Sequence, residues 1–426
     1  MEPMQRRILF LFLLAGLTVS LSAPSSCTRL GGDVLGPPEA LESHLTPQAR
    51  ALIEKAYEGI DPARLTDFHT HLLGQGGSGS GIYLNPDLQS LWHPLKYLRY
   101  SVFREASGIQ SDLEADREYV ERLRRLVEAL PVPGRFLLLA FDAVVRPDGT
   151  PDWARTEFYI PNAYAAAVAS ADPTRFIPMI SVHPYRKDAL ERLESWRARG
   201  VRFIKWLPNA MGMDPADPRV DDYYRKVREL DMVILAHAGK EQAVEGGDFE
   251  PLGNPLRLRR PLGLGVRVVV AHCASLGMGE DLDAGDGSSL PNFDLFLRLM
   301  REKQYEGLLF GDISGLTQEN RFDGPLQTLL ADAALQKRLI NGSDYPLPAL
   351  NVVIWTRSLE AAGFITGQER EALNLIYGYN PLLFDFILKR TLRHPPTGAT
   401  FALSVFHFPP ELDPRPPSPA SPGGNR

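Results

Sequence analysis

Six short segments collect the residue types that do metal and proton chemistry. They are Asp67-Phe68-His69-Thr70-His71, Phe203-Ile204-Lys205, Leu235-Ala236-His237, Val270-Ala271-His272, Gly311-Asp312-Ile313 and Ser343-Asp344-Tyr345. Imidazoles and carboxylates bind zinc and other divalent transition ions, and imidazole changes its protonation near neutral pH. His69 and His71 are two residues apart, so on a strand their side chains face the same side and can grip one cation. His237 and Asp344 would complete a His₃Asp shell with one position left for water. Each histidine taken alone reads as a hydrogen-bonded core residue. Four of them and an aspartate, all at the ends of apolar runs, read together as a metal site.

Those runs are Leu65–His71, Arg135–Phe141, Phe176–Val182, Val201–Leu207, Met232–Ala238, Val266–Cys273, Glu306–Ile313 and Lys337–Ser343. Their unbroken apolar character suits strands buried on both faces. Amphipathic stretches alternate with them, among them Leu113–Leu130, Lys187–Arg199, Asp221–Leu230, Phe293–Lys303 and Leu326–Ala334, with further helices expected near 352–362, 368–377 and 382–390. Eightfold strand–helix alternation predicts an α/β fold, a (β/α)₈ barrel, ahead of an open doubly wound sheet. In a barrel the carboxyl ends of all strands meet on one face, which gathers the scattered residues into one cluster.

The chain has 426 residues, 44% hydrophobic and 23% charged, a globular composition. Its formal net charge is −6, and no basic excess points to nucleic acid. Two cysteines, Cys27 and Cys273, exclude a disulfide framework. Arg6-Arg7 followed by the apolar Ile8–Leu17 reads as an export signal, short of the ~20 apolar residues of a spanning helix. Pro24-Ser25-Ser26-Cys27 resembles a lipoprotein box, although Pro24 departs from the usual Leu-like residue. The expected organisation is a signal over 1–27, an extension with one helix over 28–62, the barrel over 63–393 and a Pro-rich tail over 394–426. The tail holds nine prolines and is expected to be extended or disordered, with Thr400–Phe408 as an apolar island able to pack back.

With the motifs in hand, the sequence resembles the amidohydrolase superfamily of metal-dependent hydrolases. The branch it resembles includes aminocarboxymuconate-semialdehyde decarboxylase-like and lactone-hydrolysing enzymes. The resemblance rests on Thr-Asp-Phe-His-Thr-His at 66–71, Phe-Ile-Lys-Trp-Leu-Pro at 203–208, Leu-Ala-His-Ala-Gly at 235–239, Val-Ala-His-Cys at 270–273 and Asn-Gly-Ser-Asp-Tyr-Pro at 341–346. It implies that His69, His71, His237 and Asp344 bind a divalent ion, with zinc expected, and that Asp344 also takes the proton of the attacking water. It makes His272 a ligand in two-metal members and an acid/base group polarising the substrate in one-metal members. Lys205 is then either a carbamylated bridge between two ions or an ammonium that binds an anionic substrate group. The Asp-Ile-Ser of the seventh run and the Gly-Ser-Asp-Tyr-Pro ending incline the reading to one ion.

The expected function is an exported hydrolase that cleaves an amide, lactone or ester of a small molecule. Its alternatives are a metal-dependent nonoxidative decarboxylase on the same fold and a non-catalytic exported binding protein. The membrane is expected to be met only through a lipid on Cys27. His183 and Arg186, with Tyr185 beside them, are candidate substrate contacts, although a structural His183 fits as well. Asp312 is expected to support a ligand rather than to be one, and Cys273 to be a buried thiol turned away from the site. Gly74-Gln75-Gly76-Gly77-Ser78-Gly79 matches G-x-G-x-x-G, but no helical period follows it, so it reads as a loop and not a dinucleotide fingerprint.

Overall fold

The computed structural model describes residues 34–244 and 247–413. The proposed export signal and Cys27 lie outside them. Eight parallel strands form one sheet: β1 (Thr66–His71), β2 (Arg135–Leu139), β3 (Phe176–Ile180), β4 (Phe203–Trp206), β5 (Val233–His237), β6 (Arg267–Ala271), β7 (Leu309–Asp312) and β8 (Leu339–Ile340). They pair in sequence order from β1 to β8. Beyond the last ladder the ends meet: the N–H of Phe68 donates to Asn341 (2.8 Å), that of His71 to Tyr345 (2.9 Å) and that of Asp344 to His69 (2.7 Å). The chain folds as a (β/α)₈ barrel.

Helices surround the barrel: α1 (Pro47–Tyr57), α2 (Pro94–Ala106), α3 (Ala115–Glu128), α4 (Asn162–Ala171), α5 (Ala189–Ala198), α6 (Asp221–Glu229), α7 (Asn292–Arg301), α8 (Asp323–Ala331), α9 (Thr356–Ala361), α10 (Gly367–Tyr377) and α11 (Pro381–Thr391). Local chemistry sets several starts. Thr366 and Glu369 form a capping box before α10. Asn380 accepts from the N–H groups of Leu382 and Leu383, with Pro381 in the first turn of α11. The expected helix through Ala334 stops at Ala331, because Asp332 turns to cap a separate short helix. Ahead of α1 a second short helix, Leu41–His44, joins the single one expected.

The Gly-rich loop after β1 does hold an anion, but the anion is part of the protein. The N–H groups of Gln75 (2.6 Å) and Gly76 (3.1 Å) and the hydroxyls of Ser78 (2.7 Å) and Ser80 (2.6 Å) all donate to the Asp116 carboxylate in the first turn of α3. A Cβ on Gly74 would collide with that carboxylate, and Gly76 has φ +81°, so both positions require glycine.

The barrel interior is filled by Phe68, Leu137, Leu139, Met179, Phe203, Val233, Leu235, Val269, Ala271, Phe310 and Ile340. The tail completes it. Thr400–Phe408 packs back as expected, yet as a plug more than an edge strand, and it reaches further than expected. Phe408 and Leu412 are fully buried in that inner cluster. Phe408 donates to the Arg64 carbonyl at 2.8 Å, and Asn341 donates to that of Val405 at 2.7 Å. Phe401, Val405, Phe406, Phe408 and Leu412 are therefore part of the core, while 395–398 stay exposed. Phe408→Ala should lower the unfolding free energy by about 3–5 kcal/mol in chemical denaturation. A loss below about 1 kcal/mol would remove the plug from the core.

Candidate metal centre

Two departures from regular strand geometry place the histidines. Between Asp67 and Thr70, β1 advances three residues while β2 advances two, from Phe136 to Leu138, which is a one-residue bulge. Phe68 can therefore fill the barrel while His69 and His71, two residues apart, both turn to its carboxyl-end face. At the end of β6, His272, Cys273 and Ala274 have φ +55°, +49° and +51°. Strict alternation after Val269 and Ala271 would send His272 outward. The left-handed turn brings it inward and leaves the Cys273 thiol buried behind the barrel, donating to the Asp312 carbonyl at 3.3 Å. Asp344 is also left-handed, with φ +61°. Such non-glycine residues are held by their surroundings and cluster at functional sites.

His69 is the hub. Its Nδ1 lies 2.6 Å from Asp312 Oδ2, both groups fully buried. A carboxylate only accepts, so Nδ1 carries the proton and Nε2 offers its lone pair. That Nε2 is 3.2 Å from His71 Nε2 and 3.4 Å from Asp344 Oδ1, and His71 Nε2 is 2.8 Å from the same oxygen. Two ligands of one tetrahedral zinc stand ~3.3 Å apart, so this triangle fits one ion.

His237 stands behind them, its ring centroid 5.4 Å from that of His272. Glu241 Oε2 lies 3.2 Å from its Nδ1, while its Nε2 is buried and has no hydrogen-bond partner among the described residues. An orphaned, buried lone pair aimed from the end of β5 is the signature of a ligand position. His69, His272 and Asp312 form a second close cluster. Hydrogen bonding accounts for it: the Ser314 hydroxyl donates to Asp312 Oδ2 (2.7 Å) and lies 2.8 Å from His272 Nδ1. His272 Nδ1 also faces the Ser314 carbonyl at 3.1 Å, which fixes the proton on Nδ1. His272 Nε2 is left as a lone pair, 3.8 Å from Asp344 Oδ2.

Burial sets the protonation of the site. It pushes His237 down to about 4, and His69 and His272 well below the ordinary imidazole value, with the charges of Lys205 and Arg321 respectively adding to it. Burial opposes charge on Asp344, but the imidazoles of His69 and His71 and the Lys205 ammonium outweigh it and hold the carboxyl low. Lys205 is 1% exposed, and burial lowers it to about 8. Its Nζ is 3.2 Å from His69 Nε2 and so donates into the lone pair that a metal would need.

The structure thus gathers His69, His71, Asp344, His272 and Lys205, backed by Asp312, with His237 a ring behind. It does not add His183 or Arg186 to them. His183 accepts from the Tyr185 N–H at Nδ1 (3.1 Å) and meets the Met211 carbonyl at Nε2 (3.0 Å), leaving no ring nitrogen for a ligand. Arg186 is neutralised by Asp188 (2.9 Å) and Asp142 (3.4 Å). Both are engaged within the protein, the structural alternative already open for His183. Sequence reasoning missed Glu241 and Arg321, and it placed Ser314 only within the Asp-Ile-Ser motif, without a role. Ser314 had a signal, two residues beyond Asp312. The other two lie in irregular loops and had none.

The family model described as Amidohydrolase matches residues 67–382. The chain belongs to the amidohydrolase family. No curated protein matches it in sequence. Solved structures similar to this amidohydrolase include a probable 2-pyrone-4,6-dicarboxylic acid hydrolase from Acinetobacter baumannii with citric acid bound. It is 15% identical, with TM-score 0.41, covering 74% of this chain and 100% of that one. Another is a 2,6-dihydroxybenzoate decarboxylase complexed with 2,6-dihydroxybenzoate, at 12% identity and TM-score 0.41, covering 74% and 99%. A third is a 5-carboxyvanillate decarboxylase from Novosphingobium aromaticivorans with bound manganese, at 15% identity and TM-score 0.40, covering 72% and 93%. Amidohydrolases are metal-dependent, and the donor set at the mouth of this barrel fits that requirement.

Keeping His237 neutral ties stability to pH. Its folded value of about 4 lies below the ordinary 6.5, so the unfolded chain binds the proton more readily. The contribution is complete above pH 6.5 and is lost as pH falls from there through 4. It amounts to at most about 3 kcal/mol. Denaturation of metal-free protein at several pH values should show this slope, and His237→Asn should reduce it by its own share, leaving the part contributed by the buried His69 and His272. An unchanged slope would mean that His237 is not held neutral by burial.

Proposed function

We propose that this amidohydrolase is a hydrolase that cleaves an amide, lactone or ester of a small molecule with water. One observation carries the reading. The two groups that face each other across the site, Asp344 Oδ2 and His272 Nε2, are both proton acceptors, 3.8 Å apart. Hydrolysis begins by taking a proton from water. Decarboxylation needs one delivered to carbon, and His272, with its proton fixed on Nδ1 by the Ser314 carbonyl, has none at Nε2 to give.

His69, His71, His237 and Asp344 are the residues that would hold a divalent ion, and a zinc ion there supplies Lewis acidity that lowers the pKa of water from 15.7 to about 7. Asp344, ionised and fixed by His71, orients the attacking water and takes its proton as the oxygen adds to the substrate carbonyl. The proton then passes to the leaving nitrogen or oxygen, directly or through His272 Nε2, as the carbon–heteroatom bond breaks. Asp312 holds the His69 ring through this, and Glu241 holds that of His237. Lys205 must release the His69 lone pair when an ion binds. A value of about 8 makes the neutral amine accessible, and neutral amine is also the form that carbon dioxide would carbamylate. The reading includes export, with residues 1–27 as signal and Cys27 as a possible lipid anchor.

Zinc-loaded protein assayed on lactone, amide, ester and aryl-carboxylate substrates should release acid from one of the first three. Carbon dioxide release from the last alone would replace the reading by decarboxylation. Asp344→Asn should reduce turnover by about 10²–10⁴-fold at saturating metal, the usual worth of a general base. A near wild-type rate would remove Asp344 from the proton transfer.

A further inference from the structure

His71 and Asp344 lie on opposite sides of the seam where the barrel closes. No ladder joins β8 to β1 among the described residues. The seam is held by one parallel bridge, Thr70 with Tyr345, and by backbone bonds across it, among them the His71 N–H to the Tyr345 carbonyl (2.9 Å). A ladder fixes register by repeated bonds, and a lone bridge does so far less firmly. Yet one ion needs its ligand atoms at a set separation. Here His71 Nε2 and Asp344 Oδ1 stand 2.8 Å apart.

Helix α3 supplies the missing constraint. Three of its residues, spaced three apart, reach the two sides of the seam. The Tyr119 hydroxyl donates to the His71 carbonyl at 2.5 Å. Arg122 Nε donates at 3.1 Å to the hydroxyl of Tyr345, the residue that follows Asp344. Asp116 takes four donors from the loop that leaves His71. Neighbours three apart on a helix share a face, so one rigid element couples all of these bonds. The rings of Tyr119 and Tyr345, both fully buried, lie 6.0 Å apart. Tyr119 meets the ligand at its backbone carbonyl and not at its imidazole, so it acts on an ion through geometry alone.

We propose that Tyr119 and Arg122 are positioning residues of the metal centre: through them α3 clamps the seam and presets His71 against Asp344 for one ion. The proposal rests on the metal centre and not on which bond that centre cleaves. Zinc binding to metal-free protein, measured by competition with a chelator, tests it without turnover. The visible spectrum of the cobalt-substituted protein reports the ligand geometry beside it. Tyr119→Phe deletes one hydroxyl, and Tyr345→Phe deletes the acceptor of Arg122. Each should weaken zinc about tenfold or more, the usual worth of a group that orients a ligand, and each should alter the cobalt spectrum. Tyr224→Phe is the control. It loses an equally buried hydroxyl, which donates to the Pro215 carbonyl at 2.7 Å, and should leave zinc affinity and spectrum unchanged. Should Tyr119→Phe fail to fold, Tyr345→Phe carries the test of the clamp. Wild-type affinity and spectrum in Tyr119→Phe would overturn the role of Tyr119, and in Tyr345→Phe that of Arg122. An equal loss in Tyr224→Phe would overturn both, since the effect would then be one of general stability. A wild type that takes up no zinc would overturn the metal centre and the clamp with it.

Discussion

The buried hydrogen bond between His69 Nδ1 and Asp312 Oδ2 sets the geometry of the whole centre. It joins the first strand to the seventh across the mouth of the barrel at 2.6 Å. By fixing the imidazole tautomer it turns the His69 lone pair toward His71 and Asp344. The same carboxylate oxygen accepts from Ser314, whose hydroxyl and carbonyl fix the His272 tautomer in turn. One carboxylate therefore decides the protonation pattern of two histidines on different strands. Support of a ligand by a second layer of hydrogen bonds is how metal sites gain both orientation and basicity.

The fold makes that arrangement affordable. A one-residue bulge in β1 and left-handed turns at His272 and Asp344 put three ligand or acid/base side chains where regular strands would not. Such conformations persist only where the surroundings over-determine them. Here Lys389 of α11, itself buried and paired with Asp385, donates to the Gly342 carbonyl at 2.6 Å, two residues before Asp344. The Phe408 plug closes the other end of the barrel, so the strands carrying the ligands are packed along their whole length.

Much of this is legible in the sequence because it follows from period and burial. Strands buried on both faces leave unbroken apolar runs, and all eight runs became barrel strands. The ligand residues stand at their ends, as a barrel requires. What could not be read there depends on irregular backbone. Pro94–Ala106 is a helix with an exposed face, where Leu95 and Tyr97 interrupt the amphipathic pattern, and it went unseen. The proline count of the tail hid Leu412, and only the closed barrel explains the depth to which Phe408 enters it, beyond an edge segment. Glu241 and Arg321 lie in loops whose paths no period encodes, although Glu241 meets His237 directly.

The central claim is that His69, His71 and Asp344, with His237 behind them, form a site for a divalent ion. Anomalous scattering from crystals of zinc-loaded protein tests it most directly, with elemental analysis of the same sample. The account predicts about one to two ions per chain, with one peak inside the triangle of His69 Nε2, His71 Nε2 and Asp344 Oδ1. A chain that takes up no ion, or a peak away from that triangle with the three groups unliganded, would contradict it.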